Sequence, residues 1–336
     1  MAQPRAPRTA AKLLGVLTLA LFALLAFELA AQVYARTVVF PGFDRTQADP
    51  RHYYQPSANP VLAYELRPDN DVDTEKRRLR VNRWGIRESS DAVDQNVRRA
   101  AILGDSVVFG VTHDQALTLS ARVEKELDPA GGHLRVYNFG LGGLNMREIS
   151  EYLEVNNAIY DVSDVVYLLN PNDYAPRNTV YEGADNGLYR MYERPVFMTP
   201  WFVRKAIYRI NKGGPASVRW YEWMFAGNET WGQEALLRMK AYAEEREIGF
   251  SVVLLPSIHA FSEDGTYTLA DINQRIASFL EDQNILYIDA RFSFQDDPQQ
   301  YLDPTDHLHV AGAERMASVL ARALMLGDPE LSRLGR

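Results

Sequence analysis

A regular alternation of short apolar runs and longer amphipathic segments limits what this chain can fold into more than any other feature. The five runs are rich in β-branched residues, which suits buried strands: Ala100–Leu103, Leu134–Asn138, Val165–Asn170, Phe250–Leu255 and Ile285–Asp289. Helix-like segments follow them: Leu117–Leu127, Met146–Ala158, Gln233–Arg246, Leu269–Asp282 and Ala311–Leu326. Because parallel strands need such crossovers, we predict an α/β fold with a parallel sheet and helices on both faces.

The N-terminus predicts a membrane anchor. Arg5, Arg8 and Lys12 precede residues 13–35, which are mostly apolar and carry Glu28 as their single charge. About 20 largely apolar residues can span a bilayer, and a basic flank stays in the cytoplasm. We therefore predict a cytoplasmic tail (1–12), a single-pass transmembrane signal anchor (13–35) and a main domain on the extracytoplasmic (periplasmic or outer) side. A signal peptide cleaved near residues 33–35 is the alternative.

Composition excludes several classes of function. The 336 residues include no Cys, so disulfides, thiolate metal sites and a cysteine nucleophile are impossible. The formal net charge is −8, and no basic patch or nucleic-acid-binding motif is recognisable, so we expect no nucleic-acid partner. Hydrophobic residues make up 46% of the chain, as in packed domains, which argues against a disordered protein.

Two stretches depart from the alternation. Residues 36–98 are rich in Pro, Asp, Asn and Arg and predict a neck with a hairpin. Residues 174–233 form an insertion in the domain that spans residues 99–327. Thirteen of these 60 residues are aromatic, against 11% in the whole chain, so we predict an ordered insertion. It forms either a satellite core or a cap over the substrate.

Polar or glycine-rich turns end three of the predicted strands, and a fourth lies near the C-terminus. Ser106 follows the first run in Gly-Asp-Ser, residues 138–143 end the second, Asn172 follows the third, and residues 303–312 contain an Asp/His pair. Because the carboxyl ends of parallel strands lie at one edge of a sheet, we expect these groups to meet. A hydroxyl, a glycine N–H, an amide and an Asp/His pair are the components of a serine hydrolase.

In this order, the four turns resemble the motif blocks of the SGNH (GDSL-type) serine hydrolase superfamily, over residues 102–317. The resemblance implies a three-layer, flavodoxin-like fold with sheet order 2-1-3-4-5 and no cofactor. It implies that Ser106 is the nucleophile. It also implies an oxyanion hole formed by the backbone N–H groups of Ser106 and Gly143 and the side-chain amide of Asn172. Residues 81–87 are similar to the segment before the first block in many exported bacterial members.

The fourth block departs from the usual Asp-x-x-His pattern, so two Asp/His pairs compete. Literal spacing selects Asp306 and His309. The family usually has Gly five residues after the His and an apolar-Ala pair at nine and ten, and counting from His307 reaches Gly312 and then Met316-Ala317. We therefore predict His307 as the base with Asp303 as its partner, with the adjacent Asp306 as the alternative partner, and keep His309 with Asp306 as the rival pair.

We disfavour a metal site built from Asp306, His307 and His309, because no further His cluster completes it. The sequence thus predicts a membrane-anchored, exported serine esterase that hydrolyses or transfers an acyl ester. An O-acetyl group on an envelope or extracellular glycan is one candidate substrate, and a lipid ester is another. The alternative is a catalytically degenerate SGNH-fold binding or assembly factor for polysaccharide or envelope machinery.

Overall fold

The computed structural model describes residues 7–35, 37, 53–62, 64–74, 77–174, 197–212, 217–303 and 306–327. Within these residues the strands are β1 (Tyr54–Pro56), β2 (Tyr64–Leu66), β3 (Asn70–Thr74), β4 (Arg77–Val81), β5 (Arg98–Gly104), β6 (Leu134–Gly140), β7 (Asp164–Leu169), β8 (Gly249–Leu254) and β9 (Leu286–Asp289). The α-helices are α1 (Pro7–Tyr34), α2 (Ser106–Phe109), α3 (Leu119–Leu127), α4 (Met146–Tyr160), α5 (Met198–Lys212), α6 (Val218–Glu245), α7 (Ala270–Asp282), α8 (Pro298–Tyr301) and α9 (Val310–Gly327).

The central sheet has five parallel strands in the order β6-β5-β7-β8-β9. Numbered along the chain, this is the order 2-1-3-4-5, so the predicted fold class is confirmed. Alternate residues of β5 face different cores: Ala101 and Leu103 lie in one buried cluster, Ala100 and Ile102 in the other. Helices α3 and α9 contribute to the second cluster, and α4, α6 and α7 contribute to the first. The sheet is therefore the middle of three layers.

Helix α6 begins well before the predicted start at Gln233, so that prediction was wrong at its N-terminal end. Ser217 caps the helix, and its Oγ accepts a hydrogen bond from the backbone N–H of Trp220 at 3.3 Å. Tyr221 and Phe225 are buried on the same helix as Leu236, so one apolar face runs from the aromatic region into the predicted segment. Aromatic residues are not specific to helices, so the composition alone did not indicate this helical spacing. The second part of the insertion at 174–233 is therefore helical.

The described part of residues 36–98 contains two antiparallel strand pairs, β1–β2 and β3–β4. The predicted hairpin is thus accompanied by a second one. Tyr54, Tyr64, Leu66 and Val81 are almost fully buried and belong to the same core cluster as Leu103 of the central sheet. This region packs directly against the α/β core.

Helix α1 is long and apolar enough to cross a membrane. Its stretch Ala10–Tyr34 has 25 residues, and the most apolar window has a mean hydropathy of 2.4 with no buried residue. Length and composition are therefore compatible with the predicted anchor.

Candidate active site

Ser106 lies at the carboxyl end of β5, as the first residue of the one-turn helix α2. Asp105 caps this helix, because its Oδ1 accepts a hydrogen bond from the N–H of Val107 at 2.9 Å. At Gly104 a Cβ would lie 2.6 Å from the side chain of Val108, so the turn requires glycine there. The strand, the cap and the glycine together fix the backbone that carries the Ser106 hydroxyl.

The structure brings Ser106 and His307 together from positions 201 residues apart in the chain. The Nε2 atom of His307 lies 2.9 Å from Oγ of Ser106, which is a hydrogen-bonding distance. Both side chains are half-buried, so they remain open to solvent on one side. A serine hydroxyl paired with an imidazole is the arrangement needed for an activated oxygen nucleophile.

Asp303 lies on the other side of the imidazole ring. Its Oδ1 accepts a hydrogen bond from the backbone N–H of His307 at 3.1 Å and lies 4.0 Å from Nδ1 of the same residue. The carboxylate therefore faces the ring nitrogen opposite to the one that contacts Ser106. At 4.0 Å the contact is an ion-pair distance and too long for a good hydrogen bond.

The rival residues have different surroundings. The Asp306 carboxylate is buried and accepts hydrogen bonds from the Tyr221 hydroxyl at 2.5 Å, the Ser257 hydroxyl at 2.8 Å and the Ile258 N–H at 2.6 Å. His309 is exposed, and its backbone carbonyl accepts from the Ala313 N–H at the start of α9. Asp306 thus ties the turn to the protein interior, and His309 lies where the last helix begins.

Gly312, the glycine on which the preference for His307 rests, lies where α9 approaches α8 closely. A Cβ at Gly312 would lie 2.0 Å from the carbonyl oxygen of Tyr301, so α9 can approach α8 only with glycine at this position. The N–H of His309 donates to the same carbonyl at 2.8 Å. The glycine therefore fixes where α9 begins relative to the histidine turn.

The second turn is hydrogen-bonded to helix α2, which begins with Ser106. The Asn138 side chain accepts from the Gly140 N–H at 3.0 Å and donates to the Val108 carbonyl at 3.0 Å. At Gly140 a Cβ would lie 2.2 Å from the backbone nitrogen of Phe109, which explains the glycine. Gly143 follows with a φ of 80°, a conformation that favours glycine.

The third turn brings Asn172 close to Ser106, through Asp105. Its Nδ2 donates to Oδ2 of Asp105 at 3.3 Å, and the Asp105 carboxylate also lies 3.4 Å from the Ser106 hydroxyl. The neighbouring Asp173 is fully buried and accepts from the Tyr167 hydroxyl at 2.7 Å and the Asn170 N–H at 3.0 Å. Asp173 therefore stabilises the turn, which leaves Asn172 as the residue that reaches the site.

Burial dominates the electrostatics of the two carboxyls below the site. Burial raises the pKa of Asp105, against the opposing effects of the Val107 N–H and the nearby His307. The pKa of Asp173 is raised well above its usual value, first by burial and then by the neighbouring Asp105 carboxyl. Among the residues that the structure describes, no group of three or more His, Asp or Glu side chains could hold a metal ion.

Sequence reasoning missed several residues that support the site. Arg87 is fully buried and donates to the carbonyls of Phe109, Gly110 and His113 at 2.6–2.7 Å, so it holds the segment after the nucleophile helix. The Tyr64 hydroxyl donates to the Gly142 carbonyl at 2.7 Å. For Arg87 the segment 81–87 gave a signal, whereas nothing near Tyr64 or Tyr221 in the sequence indicates their partners.

Comparisons with known proteins identify similar folds. No protein-family profile matches the chain, and neither does any curated protein. Among solved structures, the chain is similar to a member of the lipolytic protein G-D-S-L family from Veillonella parvula, at 13% identity and a TM-score of 0.43, over 68% of this chain and 99% of that one. It is also similar to a catalytic mutant of Axe2, an acetylxylan esterase from Geobacillus stearothermophilus, at 16% identity and a TM-score of 0.42, over 69% of this chain and 96% of that one. Solved structures of the G-D-S-L lipolytic type are thus among the folds that this chain is similar to.

Proposed function

We propose that this chain is an ester hydrolase of the SGNH type, with Ser106 as the nucleophile, His307 as the general base and Asp303 as the residue that orients the imidazole. The 2.9 Å contact between Nε2 of His307 and Oγ of Ser106 carries this proposal. The order of the four motif turns at one edge of a 2-1-3-4-5 sheet supports it. The exposed His309 and the three bonds that occupy Asp306 favour His307 and Asp303 over the rival pair.

In the first half of the reaction, Oγ of Ser106 attacks the carbonyl carbon of the ester while His307 Nε2 takes the hydroxyl proton. The N–H groups of Ser106 and Gly143 and the amide of Asn172 would stabilise the oxyanion that forms, and losing one such donor typically costs about 2.7–4 kcal/mol. His307 then returns the proton to the leaving oxygen as its bond to the acyl carbon breaks. In the second half, water attacks the acyl-serine by the same proton path, releasing the acid and restoring Ser106.

The carbonyl of the acyl-enzyme accepts either water or a sugar hydroxyl, so hydrolysis and acyl transfer share one site. We propose an acyl ester at the cell envelope, such as an O-acetylated glycan. Helix α1 is long and apolar enough to span a membrane, and the basic residues before it predict that the domain lies outside the cytoplasm. Residues 175–196 of the aromatic insertion lie outside the described residues, and the aromatic side chains that are described give this substrate less support than the composition implies. Tyr174, Trp220, Tyr221 and Phe225 are buried in the core, which favours packing over a sugar platform.

The proposal is tested by labelling the full-length chain in detergent with a fluorophosphonate, which reacts with activated serines. We expect one adduct, located on Ser106 by mass spectrometry, and hydrolysis of a short p-nitrophenyl ester. Ser106→Ala should lose both while keeping the circular dichroism spectrum and melting temperature of the parent. Competition with acetylated oligosaccharides and with acyl lipids would identify the ester class. Folded protein that neither labels nor hydrolyses the ester would instead support the binding or assembly factor.

A further inference from the structure

Helix α5 exposes an apolar stripe. Val203, Ile207 and Ile210 are 46%, 52% and 75% exposed and lie at spacings of four and three residues, which places them on one side of the helix. Phe197, directly before the helix, is 65% exposed. A continuous stripe of large apolar side chains marks a surface that another apolar phase covers.

The sequence of α5 is also strongly basic. It contains four basic residues and no acidic one: Arg204, Lys205, Arg209 and Lys212. In the chain as a whole acidic residues are in excess, since the net charge is −8. An amphipathic helix that combines large apolar side chains with Lys and Arg is typical of segments that lie in the headgroup layer of a membrane.

Contacts with α1 place this helix at the outer end of the predicted span. The Glu28 carboxylate accepts hydrogen bonds from the N–H groups of Met198 and Thr199, at 2.8 Å each, and so caps α5. Phe202 packs against the cluster of Ala31, Ala35 and Met198, and its ring lies 5.6 Å from that of Tyr34. Glu28 precedes Tyr34 by six residues, so α5 begins about 9 Å inside the end of α1. Interfacial helices lie about 5–10 Å deep.

From these three observations we propose that α5 lies in the headgroup layer of the bilayer that α1 spans. The stripe Val203, Ile207 and Ile210 faces the acyl-chain boundary, and the basic sequence of α5 favours a bilayer that contains anionic lipid. The inference rests on the proposed membrane insertion of α1. Anionic lipid is the partner that the charge favours over a second copy of this acidic chain.

This placement brings the candidate active site close to the membrane surface. Five residues separate α5 from α6, and a linker of that length spans at most about 18 Å. Tyr221, in the first turn of α6, bonds to Asp306, the neighbour of His307. An ester carried by the membrane or by a surface-bound glycan would then reach Ser106 while the domain stays anchored to the bilayer.

Because the chain has no Cys, single-cysteine labelling can locate α5 directly. The variants Ile207→Cys and Ile210→Cys place a label on α5. Leu21→Cys places one on α1, and Leu326→Cys is an exposed control at the C-terminal end of α9. Each full-length variant carries an NBD fluorophore in vesicles of phosphatidylcholine and phosphatidylglycerol that contain nitroxide lipids. The nitroxide is placed either at a shallow position near the headgroup or at a deep position of the acyl chain.

We expect the shallow nitroxide to quench the probes on α5 at least about twofold more than the probe on α9, and the deep nitroxide to quench the probe on α1. If the α1 probe is quenched but the α5 probes behave like the α9 control, the anchor is supported and the proposed position of α5 is wrong. The same result is expected if a protein, and not lipid, covers the stripe. If the α1 probe is not quenched, the membrane anchoring itself fails. The serine chemistry is measured separately by fluorophosphonate labelling.

Discussion

Two turns of the candidate site are held in place by different means: the Ser106 turn, which carries the proposed nucleophile, and the histidine turn, which carries His307. Around Ser106, buried bonds act on the backbone: Asp105 caps α2, Asn138 binds the Val108 carbonyl and Arg87 binds the carbonyls after the helix. Around His307, a buried carboxylate ties the turn to the protein interior, because Asp306 accepts hydrogen bonds from Tyr221, Ser257 and Ile258. The Ser106 turn is thus held by polar side chains from three segments that bond to its backbone, and the histidine turn by a buried carboxylate next to His307.

The two turns also differ in how directly the reactive groups are supported. Asp306 has a φ of 62°, a conformation that Asp tolerates better than most residues, and this sharp bend directs His307 toward Ser106. The proposed orienting residue Asp303 lies 4.0 Å from Nδ1 of His307. The same carboxylate accepts a hydrogen bond from the His307 N–H at 3.1 Å, so its closer contact is with the backbone of the turn and not with the imidazole. Substitutions on each side can test this difference.

The largest expected effect concerns the two histidines. His307→Ala removes the proposed base, and we expect kcat/KM for a p-nitrophenyl ester to fall by about 10³-fold or more. His309→Ala is the matched control, two residues away and exposed, and should change the rate less than about twofold, like an ordinary surface substitution. A severe loss in His309→Ala with a nearly unchanged His307→Ala would reverse the assignment and restore the rival pair.

The fold and the position of Ser106 at the end of the first sheet strand could be predicted because their signals lie in the sequence pattern itself. Strand-like runs alternate with helical segments, and Ser106 directly follows the Gly-Asp pair that ends the first run. The preference for His307 rests on the spacing that the family resemblance implies, and the structure gives a physical reason for glycine at position 312. Each of these inferences needs only a short stretch of sequence.

The supports of the site could not be predicted, because they join distant segments. Tyr221 and Asp306 are 85 residues apart, Ser257 and Asp306 are 49 apart, and Tyr64 and Gly142 are 78 apart. No periodicity or spacing encodes such pairs. The early start of α6 could not be predicted for a related reason. Aromatic residues are compatible with several types of secondary structure, and only their burial against the sheet selects the helix here.

The second prediction separates two roles: Asp306 anchors the histidine turn, and Asp303 is proposed to orient the imidazole. Asp306→Asn keeps the size and the tolerance of positive φ but cannot accept from all three donors, so we expect the unfolding free energy to fall by about 1–3 kcal/mol. Asp303→Asn should leave stability within about 0.5 kcal/mol and lower kcat by about 10–10²-fold, less than a closely bonded triad would lose. Denaturant unfolding and ester kinetics on both variants measure the two effects. A stable Asp306→Asn that loses activity more than Asp303→Asn does would show that Asp306 orients the base.

The third prediction concerns the nucleophile side, where His113 is buried beneath the Arg87 contacts. Burial, reinforced by Arg122 and Arg87, lowers the pKa of His113 to about 4. The pKa is depressed in the folded state, so the stabilisation is complete above the unfolded pKa of about 6.5 and is lost as pH falls toward 4. We expect about 1–2 kcal/mol less unfolding free energy at a pH of about 5 than at about 7 from this residue. His113→Gln should remove that difference, and an identical pH dependence in both proteins would contradict it.

The smallest effect tests whether the hairpin region before the α/β domain supports the oxyanion hole. The Tyr64 hydroxyl bonds to the Gly142 carbonyl, and that peptide also carries the Gly143 N–H proposed as an oxyanion donor. Tyr64→Phe should therefore lower kcat by about 5–10-fold with KM unchanged, because the donor matters most in the transition state. Tyr152→Phe, which removes a hydroxyl bonded to the Gly85 carbonyl at 3.4 Å, is the matched control and should leave kcat unchanged. If both variants lose about 1 kcal/mol of stability and neither loses activity, Tyr64 only packs the hairpin against the domain. The Gly143 N–H would then keep its position without the Tyr64 hydroxyl.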